Sequence, residues 1–95
     1  MHFFLKLVPC QPTFAQDMPA EERAIMQQHI AYWTEVMKQG KVHVFGPVFD
    51  PNGAYGMGVV EMESDAAVNE FVAGDPASKI NHYEVYPMRA VLLPS

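Results

Sequence analysis

One cysteine, Cys10, is all the sulfur chemistry the chain offers beyond methionine. A lone thiol cannot close an internal disulfide, and no Cys/His cluster stands at zinc spacing. Cys10 therefore reads as a small turn residue in a chain suited to a reducing compartment. Basic residues are scarce too: six Lys and Arg against eleven Asp and Glu, a net charge of −5. Without a basic stripe to neutralise phosphates, nucleic acid is excluded as a partner, and an anionic membrane surface repels the chain. No apolar run approaches transmembrane length. The opening HFFLKLVP is too short for a signal-peptide core with its basic flank and cleavage site. A cytoplasmic protein is expected. A phosphate-cradling loop is also missing. The stretch GAYGMG, Gly53 to Gly58, follows a turn and opens no helix, so it fails the dinucleotide context. No serine stands on a nucleophile-elbow turn.

What is present is apolar. Half of a 95-residue chain, 49%, is hydrophobic, which is rich for one small domain spanning residues 1–95. A second copy of the chain is the commonest cover for surplus apolar surface, so a homodimer is expected.

The longest helical pattern runs from Met18 to Gly40. Ile25, Met26, Trp33, Val36 and Met37 recur at spacings of three and four, one buried face. Gln27, Gln28, Glu35 and Lys38 fall opposite. Asp17 is a candidate N-cap, with Pro19, Glu21 and Glu22 in the first turn, and Gly40 is placed to take the left-handed stop. His29 lies inside the apolar stripe, one turn after Ile25 and one turn before Trp33. Taken alone, such a histidine is first of all a core residue with a backbone or water partner.

Around this helix the pattern predicts strands and one more helix. Residues 2–9 are apolar on both faces, as in a central strand. KVHVFGPVF, residues 41–49, is a strand with Val42 and Val44 on one face and His43 and Phe45 on the other. Asp50-Pro51-Asn52-Gly53 is a turn, with Asn-Gly supplying positive φ. AYGMGVVEME, residues 54–63, is the third strand, and its Gly56 and Gly58 mark the close approach of another group. Ser64 caps a helix over 65–74 that buries Val68, Phe71 and Val72 and stops at Gly74. Asp75-Pro76 opens a short turn, and residues 81–93 close with a strand and tail. The order βαββαβ predicts an α+β, ferredoxin-like fold: a four-stranded antiparallel sheet with two helices on one face. The other sheet face is left bare, and a second sheet from another subunit would cover it.

Of the four histidines, His2 reads as solvated, and His43 and His82 as surface strand residues. His29 alone is fixed on an apolar helical face. It becomes an acid/base group if a carboxylate orients its ring. Asp50, Asp65 and Asp75 are the candidates, and spacing does not choose among them. Even a formed pair is open to two readings, a salt bridge of the framework or a reactive pair. No second histidine stands at i+3 or i+4 from His29, so no metal is expected there.

These pieces, taken in order, resemble the YciI-like (YCII-related) family over nearly the whole chain. The resemblance rests on the apolar first strand and its loop, IMQQHIAYWTEVMKQGKV, VFGPVFD, GVVEMES, FVAGDPAS and YEVYPM. It implies the dimeric α/β-barrel fold, with ferredoxin-like subunits paired sheet to sheet. In that family the helix histidine and the aspartate of the DP motif are regarded as a catalytic pair, which map here to His29 and Asp75. Relatives often carry arginine where this chain has Met26, with Arg23 the nearest substitute, and many carry an aromatic residue where it has Ala77. Those departures leave open whether the substrate class differs. Related barrels are lactone isomerases, dehydrochlorinases or cofactor-free monooxygenases.

The reading that results is a cofactor-independent enzyme acting on a small, cyclic organic substrate by isomerisation, elimination or hydrolysis. His29 is the general acid/base, Asp75 its orienting partner, and Trp33, Phe45 and Tyr83 line an apolar pocket. No metal or organic cofactor is required. The alternative is a dimeric module that binds a small ligand without converting it, with His29 and Asp75 a framework pair.

Overall fold

Strand β1 (His2–Pro9) occupies the middle of the sheet because both of its faces are apolar: Phe3, Leu5 and Leu7 are buried, while Phe4 is half-covered on the other side. The computed structural model describes residues 1–9 and 19–93. After β1 come helix α1 (Ala20–Lys38), the hairpin β2 (Val42–Val48) and β3 (Tyr55–Glu61), helix α2 (Asp65–Gly74), a 3-10 helix (Pro76–Lys79) and β4 (Asn81–Met88). The strand order is β2-β3-β1-β4 with every neighbour antiparallel. This is the predicted ferredoxin-like βαββαβ arrangement. Among the described residues no helix is long and apolar enough to cross a membrane.

Local chemistry accounts for the boundaries. Helix α1 ends in a Schellman turn: Lys41 N–H donates to Val36 O, Gly40 N–H donates to Met37 O, and Gly40 takes φ +82°. Ser64 Oγ accepts from Ala67 N–H at 3.2 Å and caps α2. At the hairpin, Gly53 N–H donates to Asp50 O and Asn52 N–H to Asp50 Oδ1, with positive φ at Gly53 alone. Three expectations change. Pro19 is the N-cap of α1 and not part of its first turn, because its extended ψ of 158° sets it just outside the helix. Gly74 ends α2 without the left-handed turn that a glycine stop suggests, and a Cβ there would stand 2.7 Å from the Tyr32 hydroxyl. The third concerns β2. Val42 pairs with Val60 but Val44 pairs with Val59, so a β-bulge interrupts the alternation at His43. Val42 and Phe45 therefore share the helix-covered face, and Val44 points away, 49% exposed. The readings of Cys10 as a turn residue and of Asp17 as a cap lie outside the described residues.

The core lies between the helices and the sheet. Trp33 is its centre, 2% exposed, with Phe71 edge-on at 4.8 Å and Phe45 at 5.3 Å. The six-membered ring of the indole abuts Gly58 of β3, and a Cβ there would overlap it. Gly58→Ala is therefore expected to cost about 1–3 kcal/mol, the range for overpacking a close-packed core. The backbone of β3 is paired on both sides and cannot retreat. Urea unfolding measures this, and a neutral result would mean that the indole does not rest on the strand.

Candidate active site

Asp75 reaches the site through two helix ends that meet at it. Its N–H donates to Val72 O and closes α2, while its Oδ1 accepts from Ala77 N–H at 2.9 Å and caps the 3-10 helix. Pro76 at N1 suits this, since it has no N–H to satisfy. The carboxylate is thus fixed by backbone, and its second oxygen points at α1 and β4. Three side chains converge on that oxygen. His29 Nδ1 lies at 2.7 Å, Trp33 Nε1–H donates at 2.7 Å, and the Tyr83 hydroxyl donates at 2.5 Å. His29 and Trp33 stand one turn apart on α1, so one helix face presents both.

Asp75 is 2% exposed. Burial alone would push its carboxyl upward. Hydrogen bonds from His29, Tyr83 and the Ala77 N–H, with the charge of a protonated His29, outweigh that and hold it below its ordinary 3.8. The phenol of Tyr83 is pushed far up by burial and then by its hydrogen bond to Asp75, so it stays a protonated donor. Tyr32 is raised by burial and by the Asp75 charge, and its hydroxyl donates to Phe71 O at 2.8 Å. An ionised carboxylate only accepts, so His29 holds its proton on Nδ1. When the ring is neutral, Nε2 carries the lone pair.

His29 is the link between this buried cluster and an apolar cavity of about 360 Å³. Trp33, Phe45 and Tyr83 line that cavity with it, whereas Asp75 sits behind the histidine and does not. The two candidate catalytic residues and the three candidate lining residues are therefore brought to one place. Trp33 and Tyr83 have a second contact that sequence reasoning missed, as donors to Asp75. Further walls come from Met26, Ile30, Tyr55 and Asn81. Asn81 Nδ2 lies 3.6 Å from Met26 Sδ, and its Oδ1 is buried with no hydrogen-bond partner among the described residues. The signal for it was its place directly after the DPASKI turn. Arg23 is exposed and does not replace a cavity arginine at Met26; among the described residues no Lys or Arg lines the cavity. His82 is exposed, as expected. His2 is not solvated: it is half-buried and stacked on His43 at 5.3 Å.

The fold and the site define a ferredoxin-like α+β class of protein, with a histidine–aspartate pair behind an apolar cavity. Within it, the chain belongs to the YCII-related domain family, whose model matches residues 3–91. Among solved structures it is similar to 5-chloro-2-hydroxyhydroquinone dehydrochlorinase (TftG) from Burkholderia phenoliruptrix, in complex with 2,5-dihydroxybenzoquinone. The two are 22% identical over 92% of this chain and 93% of that chain, with a TM-score of 0.66, a likeness of fold. No curated protein matches the chain significantly.

Proposed function

We propose that this protein is a cofactor-independent enzyme that moves a proton on a small, flat, cyclic substrate, with His29 as general acid/base and Asp75 as its positioning residue. The observation that carries this is the arrangement at His29: one ring nitrogen is tied to a buried carboxylate, and the ring lines an apolar cavity. A cavity of about 360 Å³ is in the range of small-molecule sites and admits a single substituted ring. Aromatic faces from Trp33, Phe45, Tyr55 and Tyr83 suit a planar guest. The lack of a lining cation among the described residues argues against a carboxylate or phosphate handle and for a neutral hydroxylated ring.

Elimination is the reaction class we favour. Nε2 takes a proton from the substrate as the leaving group departs with its electron pair, and the imidazolium is stabilised by Asp75. The similar fold of a dehydrochlorinase supports this choice over isomerisation or hydrolysis. The test is chloride release from chlorinated hydroxyquinols, compared with ring opening of lactones, by the parent protein and by His29→Gln. Turnover lost in the variant is the expected outcome. Equal turnover by both proteins would remove His29 from the mechanism. Tight ring binding without turnover would favour the non-catalytic ligand-binding module, for which the three donors on Asp75 would form a framework cluster.

The working unit we propose is a homodimer. The sheet face away from the helices exposes Val44, Tyr86 and Met88 at 49%, 48% and 38%. Light scattering should give twice the chain mass, and Tyr86→Glu should shift it toward a single chain. A monomeric parent protein would overturn this.

A further inference from the structure

On the sheet face away from the helices, the face that pairs with a second copy in the homodimer proposed above, three strands bring together His2, His43 and Glu61, none of which lines the His29 cavity. His2 on β1 and Glu61 on β3 are register partners, so their side chains leave the sheet on the same side. His43 joins them through the bulge in β2, which turns it out of the regular alternation. The result is two imidazoles around one carboxylate oxygen. His43 Nε2 lies 3.2 Å and His2 Nε2 3.6 Å from Glu61 Oε1. All three residues can offer a ligand atom within 4.8 Å of the others.

We propose that His2, His43 and Glu61 form a binding site for a divalent transition-metal ion. Ligands about 2.0–2.1 Å from a tetrahedral zinc stand roughly 3.3 Å apart, and the two histidine–glutamate separations bracket that spacing. Two neutral imidazole nitrogens with one carboxylate suit zinc, iron(II) or nickel(II) and not the all-oxygen preference of magnesium or calcium. Three protein ligands leave a position open for water or a small anion. A second observation points the same way. His2 Nε2 is shielded from solvent, yet it has no hydrogen-bond partner among the described residues. A buried ring nitrogen left unpaired is costly, and a metal ion would use its lone pair. The His43–Glu61 hydrogen bond is not an obstacle, because the ion takes the place of the shared proton.

Calorimetric titration of the full chain with zinc chloride tests this, with magnesium chloride as the control. One zinc per chain should bind and magnesium should not. His43→Ala and Glu61→Gln, both at exposed positions, should each weaken zinc binding by about 100-fold or more, beyond the loss typical of disturbing a residue behind the ligands. His82→Ala should bind like the parent. The ring signals of His2 and His43, and not those of His29, should shift on zinc addition in NMR spectra. Absence of zinc binding overturns the proposal. So does binding that survives in His43→Ala, or that shifts only His29.

Discussion

Replacing Asp75 with alanine should be the most damaging single change to stability in this protein, with a loss of about 3–5 kcal/mol in urea unfolding at neutral pH. Among the described residues the carboxylate is the one acceptor shared by His29, Trp33 and Tyr83, and it also caps the 3-10 helix through Ala77 N–H. Its removal leaves an indole N–H, a phenol and an imidazole N–H facing one another at a position that is 2% exposed. Unmade buried hydrogen bonds cost more than made ones contribute, so several orphaned donors outweigh the few carbon and oxygen atoms lost. Asp75→Asn should fall between the two proteins, since its amide keeps one acceptor but turns an NH₂ toward groups that are already donors.

The pH dependence carries the same signature. The native carboxyl of Asp75 is held below 3.8, so its contribution is complete above about pH 4 and is lost as pH falls through the native value. The stability gap between the parent and Asp75→Asn should therefore close as pH falls below about 4. A gap that stays open to pH 2 would mean that the ionised form is not what the three donors require.

How much of this was legible beforehand depends on whether a feature is local. The Schellman stop at Gly40, the Ser64 cap and the turn at Asp50–Gly53 follow from residue types at fixed offsets, and the structure has each of them. The apolar stripe of α1 is equally local, since 3.6-residue periodicity needs no partner to be seen. The bulge at His43 is different. Period-two reading assigns Val42 and Val44 to one face, and an inserted residue reverses every assignment after it. No dipeptide in KVHVFG announces the insertion.

The site divides in the same way. Asp75 as a cap before Pro76 was local information, and its pairing with His29 came from family resemblance. That Trp33 and Tyr83 would also donate to the same oxygen depends on how α1 crosses β4, which spacing does not encode. Gly58 signalled a close approach without naming the indole that makes it. His2, His43 and Glu61 stand in three separate strands, and only the sheet register makes them neighbours.

His29 offers the sharper functional test because its two roles separate. His29→Gln should lower kcat/KM on an accepted substrate by about 10²–10⁴-fold, the usual worth of a positioned acid/base group. Its stability cost should be much smaller, about 1–3 kcal/mol for one charge-assisted hydrogen bond, because Trp33 and Tyr83 still donate to Asp75. Glutamine retains an N–H for the carboxylate but cannot take up a proton at neutral pH. A framework role predicts the reverse pattern: stability falls and turnover follows only the folded fraction. The pH–rate profile provides the second readout, since the limb owed to the base should vanish in His29→Gln while KM changes little. Tyr83→Phe completes the comparison. It removes another donor to Asp75 but keeps the cavity wall, so it should lose stability comparable to His29→Gln with far less loss of turnover. Two variants with similar stability and turnovers more than tenfold apart would locate the proton transfer at His29. Matching losses in both would reduce the histidine to one of three supports for a buried carboxylate.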